Sequence, residues 1–235
     1  MKYKPEQLIV ALDMAKTGPA MDLVERLNPF GVSFKVGLEL YMVGGPKFVS
    51  SLVRRGKIFL DLKFHDIPNT TAAAVKRAAT LGVSMLNVHA SGGREMMSAA
   101  REAIEGLSDR PTLLAVTVLT SMNERHLAEI GSPGSAEEKV NLLAALAAEC
   151  GLDGVVCSPL EISSVKQTVS RKFITVTPGI RPAGEAFDDQ SRVATPADVA
   201  RAGGDYLVVG RPITRAQNPV EATRSILIEM GVYNE

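Results

Sequence analysis

Short apolar segments recur along the chain, and each is followed by a segment whose apolar residues return every three or four positions. Continuous apolar runs are typical of strands buried on both faces, whereas the longer spacing is typical of amphipathic helices. The pattern predicts strands at residues 8–13, 32–37, 57–63, 85–90, 112–119, 154–158, 173–177 and 206–210. It predicts helices at residues 19–27, 46–55, 71–79, 94–105, 136–150, 159–168, 196–202 and 219–230.

This regular alternation of strand and helix over 235 residues predicts an α/β fold, the (β/α)8 or TIM barrel. We expect a single domain over residues 1–235, because no linker or low-complexity segment interrupts the pattern. An open doubly wound sheet is the alternative. Its dinucleotide-binding version is disfavoured, because no G-x-G-x-x-G motif follows the first strand.

Three charged residues, Asp61, Lys63 and Asp66, lie within six positions at the end of the third predicted strand and just beyond it. Because side chains alternate along a strand, Asp61 and Lys63 are expected on the same face. Pro68 disfavours helix at the residue before it, so we expect a turn there, with Thr70 capping the next helix. Opposite charges at the exit of a buried strand are typical of a catalytic site, and a structural ion pair is the alternative.

Other predicted strands also end in polar residues, and in a barrel all C-terminal strand ends meet at the mouth that holds the active site. Gly210 and Arg211 follow the last strand, the usual phosphate position in this fold, where glycine admits backbone N–H groups and arginine adds donors. The loop at residues 180–192 is either a lid over that phosphate or a plain surface connection. The residues expected at the mouth are Asp13, Lys35, Asp61, Lys63, Asp66, Thr120, Ser121, Arg181, Gly210 and Arg211.

Charge and composition exclude several classes of function. Lysine plus arginine number 26 and aspartate plus glutamate also number 26, so the chain lacks the charge excess of proteins that bind nucleic acid or anionic membranes. The polar N-terminus is unlike a signal peptide, and no uncharged apolar run is long enough to span a bilayer. Two cysteines suggest no disulfide framework, so we expect a cytoplasmic protein. His89 lacks paired ligand spacing, so we expect a hydrogen-bonding group rather than a metal ligand there.

The string Asp61-Leu-Lys-Phe-His-Asp-Ile-Pro-Asn-Thr70 resembles the signature of the bacterial type of the orotidine 5′-phosphate decarboxylase family. The resemblance extends over nearly the whole chain, because shorter strand-end motifs match in the same order. These motifs lie at residues 11–13, 34–37, 88–90, 119–121, 177–181 and 209–213.

The resemblance implies decarboxylation of orotidine 5′-monophosphate to UMP, the last step of pyrimidine synthesis, without cofactor or metal. It implies Lys63 as proton donor, with Asp61 close to the leaving carboxylate and held with Lys35 and Asp66 in a charged network. It also implies a homodimer with shared sites, in which Asp66, Ile67 and Thr70 reach the neighbouring site. The remaining implied contacts are Asp13 and Lys35 to ribose, Thr120 and Ser121 near the pyrimidine, Gln190 to base and phosphate, and Arg181, Gly210 and Arg211 to phosphate.

Two other readings remain open. Mg²⁺-dependent sugar-phosphate barrels are similar in fold and share an Asp-x-Lys-x-x-Asp string, but they carry a glutamate metal ligand where this chain has Lys35, which would repel a divalent cation. A barrel that only binds a phosphate ligand is the other reading. The intact set of Asp61, Lys63 and Asp66 argues against it, because phosphate binding alone does not need that set.

Overall fold

Eight parallel strands close into a barrel in the computed structural model, which describes residues 3–182 and 194–233. β1 pairs with β2 on one side and with β8 on the other, with Ile9 opposite Ser33 and Val208. The (β/α)8 barrel predicted from the hydrophobic pattern is therefore confirmed. The strands are β1 (Leu8–Ala11), β2 (Ser33–Gly37), β3 (Ile58–Phe64), β4 (Met85–His89), β5 (Thr112–Val116), β6 (Gly154–Val156), β7 (Ile174–Thr177) and β8 (Tyr206–Val209).

Helices follow the strands along the chain. They are α1 (Thr17–Leu27), α2 (Leu38–Val53), α3 (Pro68–Ala79), α4 (Gly93–Glu105), α5 (Glu124–Glu129), α6 (Ala136–Glu149), α7 (Ile162–Thr168), α8 (Pro196–Ala202), α9 (Arg211–Thr214) and α10 (Pro219–Glu229). The short helices α5 and α9 were not predicted, because four to six residues are too few to show a helical period.

Several helix starts differ from the sequence prediction, and the differences at α2 and α3 have a clear physical reason. α2 begins at Leu38 rather than at residue 46, and it is kinked at Gly45, whose φ of 61° lies in the left-handed region. The predicted start thus corresponds to its second half. The prediction that Thr70 caps α3 is wrong, because the helix begins at Pro68, where the fixed φ and missing N–H of proline suit a first helical position.

Apolar side chains pack against both faces of the strands. Side chains that alternate along each strand face either the helices or the inside of the barrel, where a small cluster fills the lower part. This inner cluster comprises Ile9, Ala11, Phe59, Met85, Leu114, Val176 and Val208. Two residues after Phe59 on β3 and Met85 on β4, the next side chains that face inward are Asp61 and Asn87. The inside of the barrel therefore becomes polar toward the C-terminal ends of the strands.

Among residues 3–182 and 194–233, no helix combines the length and the apolar character that crossing a bilayer requires. These residues close into one barrel. That residues 1–235 as a whole form a single domain stays a prediction.

Candidate active site

A cavity of about 560 Å³ opens at the C-terminal ends of the strands. The barrel brings to its walls residues that are almost 200 positions apart in sequence, because every parallel strand ends at this mouth. Of the residues predicted for the site, those lining the cavity are Asp13, Lys35, Asp61, Lys63, Thr120, Ser121, Arg181, Gly210 and Arg211.

Four charged side chains form an alternating row along one wall. The Lys35 ammonium lies 3.0 Å from Asp13 Oδ1 and 3.3 Å from Asp61 Oδ2, and Lys63 Nζ donates to Asp61 Oδ1 at 2.7 Å. The side chains of Lys35 and Asp61 are only 12% and 10% exposed, whereas that of Lys63 is 33% exposed. Lys63 is thus the most exposed of these three side chains, all of which line the cavity.

Both inner members of this row are held in their charged forms. Burial disfavours the charge of Lys35, but Asp61 and Asp13 outweigh it and raise the pKa of the ammonium. Burial likewise disfavours the charge of Asp61, but Lys35 and Lys63, together with a hydrogen bond from Asn87, lower the pKa of that carboxyl. A substrate therefore meets a fixed arrangement of charges.

The backbone of β3 is irregular where it delivers Lys63. Lys63 has a φ of 50°, the only positive value among the described residues that are not glycine. The register with β4 shifts between Leu60, which faces Leu86, and Phe64, which faces Val88. Four residues of β3 thus span two residues of β4, and this bulge turns the Lys63 side chain toward Asp61.

Asn87 of β4 contacts this bulge, and the sequence analysis missed it. Its Nδ2 donates to Asp61 Oδ1 at 2.6 Å, and its Oδ1 accepts from the backbone N–H of Lys63 at 2.8 Å. The residue is completely buried. The available signal was a lone amide inside an apolar strand, since a buried polar group must have partners.

Glycine at position 37 leaves room for the outer ion pair. A Cβ there would lie 3.3 Å from Lys35 Nζ and 3.4 Å from Asp13 Oδ1. The contact with Lys35 would be tighter than an ordinary one, so the absence of a Cβ at the end of β2 leaves the ammonium free to lie between its two carboxylates.

The residues predicted to hold a phosphate lie at the ends of β7 and β8. Gly210 directly follows β8, and Arg211 begins α9 and lines the cavity. Arg181 is 8% exposed and its Nη1 donates to the carbonyl oxygen of Ile180 at 3.0 Å. Glycine and two guanidinium groups at one end of a cavity match what a phosphate requires.

Three residues predicted for the site point away from this cavity within one chain. Asp66 is exposed, and its carboxylate accepts from the backbone N–H of Ile67 at 2.7 Å. Ile67 is 67% exposed, and Thr70 lies exposed in the first turn of α3. Within one chain the fourth member of the charged row is thus Asp13, and a role for Asp66, Ile67 and Thr70 in a neighbouring site stays a prediction. Gln190 and most of the 180–192 loop lie outside the described residues.

His65 and His89 stack behind Lys63 with ring centroids 5.2 Å apart. His89 Nδ1 lies 2.7 Å from Ser91 Oγ, so it has the hydrogen-bond partner expected of it. Burial, followed by the charges of His65 and Lys63, lowers the pKa of His89. The imidazole is therefore neutral at neutral pH.

A family model described as "Orotidine 5'-phosphate decarboxylase / HUMPS family" matches residues 6–226. The chain belongs to this family. Two proteins similar to this chain are the orotidine 5′-phosphate decarboxylases of Chromobacterium violaceum and Aliivibrio fischeri. The first is 54% identical over 96% of this chain and 92% of the relative, and the second is 51% identical over 97% and 98%.

The fold of this chain is also similar to that of a solved structure. The crystal structure of orotidine 5′-phosphate decarboxylase from Lactobacillus acidophilus superposes with a TM-score of 0.85 at 38% identity. The match covers 95% of this chain and 98% of that one. The resemblance stated from the sequence is thus confirmed.

Proposed function

We propose that this chain decarboxylates orotidine 5′-monophosphate to UMP and CO₂, the last step of de novo pyrimidine nucleotide synthesis. The alternating row of Lys35, Asp61 and Lys63 at the mouth of the barrel carries this proposal. Its relatives at more than 50% identity bear the name of this decarboxylase over almost their whole length.

The reaction needs a fixed cation beside the carbon that loses CO₂. When the C6–carboxylate bond breaks, its electron pair stays on C6, where no carbonyl group is placed to delocalise it. The barrier is high, and the protein must lower it by about 20 kcal/mol. In the proposed mechanism the Lys63 ammonium stabilises the developing charge and then donates a proton from Nζ to C6, after which water reprotonates the amine.

The rest of the row would hold Lys63 ready for this step. Asp61 fixes the ammonium at 2.7 Å and is itself fixed by Lys35, so little reorganisation is needed as charge develops. In the same proposal Asp61 lies close to the leaving carboxylate and Asp13 and Lys35 contact the ribose. Thr120 and Ser121 would lie near the pyrimidine, and Arg181, Gly210 and Arg211 would bind the phosphate, with Gln190 bridging base and phosphate.

The charges of the row also bear on the Mg²⁺-dependent alternative. An ammonium group already lies between the carboxylates of Asp13 and Asp61, at 3.0 and 3.3 Å. A divalent cation at this position would have to displace Lys35 and would leave a buried ammonium without its partners. This arrangement favours a reaction that uses no divalent metal ion at this position.

A chelator-treated assay tests the proposed function. We expect the purified protein to bleach the orotate chromophore of orotidine 5′-monophosphate at the same rate with EDTA as with added Mg²⁺, since the proposed chemistry uses only side chains. The Lys63→Ala protein, purified in the same way, shows whether a contaminant contributes. A strict requirement for Mg²⁺ would move the assignment to the sugar-phosphate enzymes.

We further propose a cytoplasmic homodimer with shared active sites. Apolar side chains are exposed on the neighbouring segments that begin α2 and α3, where Leu38, Met42, Val43 and Ile67 are 57%, 80%, 55% and 67% exposed. Several large apolar side chains left exposed on segments that follow adjacent strands are what a protein interface would bury. Asp66 lies beside Ile67 and would enter the site of the second chain, where it would complete the charged row.

Mixing two inactive variants tests the shared site. Lys63→Ala and Asp66→Ala chains should each be inactive alone, but a heterodimer would contain one site with both natural residues. After complete exchange of an equal mixture, we expect activity to recover to about a quarter of the natural level, because half of the dimers would be mixed and each would have one intact site. Absence of recovery after subunit exchange has been verified by mass spectrometry would contradict the shared site.

A further inference from the structure

We propose that Asn87 is a positioning residue for Lys63 and that it sets the rate of decarboxylation without taking part in substrate binding. This inference rests on the proposed function. It starts from the unusual backbone of Lys63, whose φ of 50° lies in the left-handed region that residues with a side chain rarely adopt. Such a conformation persists only where surrounding contacts enforce it.

Asn87 provides contacts of that kind to both ends of the Asp61–Lys63 pair. The backbone N–H of Lys63 can only donate, and the Asp61 carboxylate in its ionised form can only accept. The amide must therefore turn its Oδ1 toward Lys63 and its Nδ2 toward Asp61, as observed at 2.8 and 2.6 Å. One side chain thus fixes the backbone that carries the ammonium and the carboxylate that orients it.

An amide suits this position better than other side chains. It adds no charge to the row, and it satisfies both partners at once in a completely buried place. It also completes the surroundings of Asp61 Oδ1, which accepts from Lys63 Nζ and Asn87 Nδ2 together. An aliphatic residue would leave the Lys63 N–H and one lone pair of Asp61 without partners.

The location of Asn87 separates its effect on rate from any effect on affinity. Asn87 does not line the cavity. The proposed phosphate-binding residues Gly210 and Arg211 do line it, and they belong to the junction of β8 and α9 rather than to β3 or β4. Loss of Asn87 should therefore disturb the ammonium and leave the phosphate end unchanged. For Asn87→Ala we expect kcat to fall about 100-fold while KM and the Kd of UMP change less than threefold.

Asn87→Asp is nearly isosteric and gives a signature that a merely structural role would not. At neutral pH the new carboxylate would repel Asp61, but once protonated it can donate to Asp61 in place of the natural amide. The charged groups facing it are Asp61 and Lys63 of β3, with Lys35 behind Asp61, while the neighbouring Leu114 of β5 is apolar. The ratio of variant to natural kcat should therefore rise at least about tenfold between pH 8 and pH 5.5.

The natural enzyme, measured over the same pH range, accounts for the pH response of every group that the two proteins share. Thr175→Val is the matched control for stability. Thr175 is also completely buried in a strand, but its hydroxyl pairs with Asp205, which precedes β8 at the other end of the barrel. This variant should lose stability and keep its kcat within twofold.

Two results would overturn the proposal: a folded Asn87→Ala protein with kcat within threefold of the natural value, or an Asn87→Asp ratio that does not change with pH. If Asn87→Ala does not fold, the nearly isosteric Asn87→Asp protein decides. Failure of the proposed function gives a different result, because the natural protein itself would then be inactive on orotidine 5′-monophosphate.

Discussion

Replacing Lys63 by alanine is expected to lower kcat by about 10⁴-fold or more, since this change removes both the proton donor and the cation beside C6. The fold should survive. The Lys63 side chain is one-third exposed, and its removal leaves Asp61 paired with Lys35 at 3.3 Å and with Asn87 at 2.6 Å. Single-turnover decay of the orotate absorbance measures the rate, and thermal unfolding shows that the barrel is intact.

Lys57→Ala is the matched control for this experiment. Lys57 directly precedes the same strand at its opposite end and pairs with Glu6 at 2.9 Å, with its side chain 57% exposed. Loss of an exposed ion pair has little effect on stability, and we expect kcat within twofold of the natural value. A Lys63→Ala protein with near-normal kcat would remove Lys63 from its proposed role.

Replacing Asp61 by asparagine is expected to cost about 3 kcal/mol of stability, because it leaves the buried Lys35 ammonium without its buried partner. The remaining carboxylate near Lys35 is Asp13, whose side chain is 59% exposed. Lys63 also loses the group that orients it, so we expect kcat to fall about 10³-fold. Urea unfolding and the same absorbance assay measure the two effects.

The loss of stability in Asp61→Asn should depend on pH in a defined direction. The pKa of Asp61 is lower in the folded protein than in the unfolded chain, where it is about 4. The ionised carboxylate therefore stabilises the fold fully above about pH 4, and this stabilisation is lost as the pH falls through the pKa of the folded protein. The pKa of Lys35 is raised, so its contribution is complete below about pH 10 and is lost as the pH rises through the folded value. The difference between the two proteins should be largest between these limits.

Asp153→Asn is the matched control for Asp61→Asn. It also removes a carboxylate that is paired with a cation, but at a place far from the candidate site. Asp153 pairs with Arg110 at 2.7 Å at the start of β6, far from the mouth, and its pKa is also lowered, with Arg110 donating to it against the effect of burial. We expect a smaller loss of stability and an unchanged kcat. If Asp61→Asn kept the natural kcat, or its loss of stability did not shrink at acid pH, the proposed role of the row would be wrong.

The barrel could be predicted because its signals are local. A buried parallel strand appears as a continuous apolar run, and eight such runs alternating with helical segments leave few topologies open. The exact ends of the strands could not be predicted in the same way. The apolar run at residues 112–119 continues beyond the observed end of β5 at Val116, because residues that follow a strand, such as Val118, can also be buried.

The charged residues of the site could also be found, since a polar residue at the end of an apolar run stands out. The sequence could not show which of them meet. It grouped Asp66 with Lys63 by spacing, whereas one chain joins Asp13, Lys35, Asp61 and Lys63. The turn after β3 carries Asp66 outward, and its carboxylate contacts the backbone of Ile67.

The sequence by itself determined the barrel, the mouth at which the polar strand ends converge, and the family, because periodicity and motifs are properties of neighbouring residues. Only the tertiary structure decided how Lys63 is aimed. The register shift between β3 and β4, the left-handed backbone of Lys63 and the double contact of Asn87 arise from pairing between strands about 25 positions apart. Contacts across such a distance depend on how the two strands align, which the residues of either strand alone do not specify.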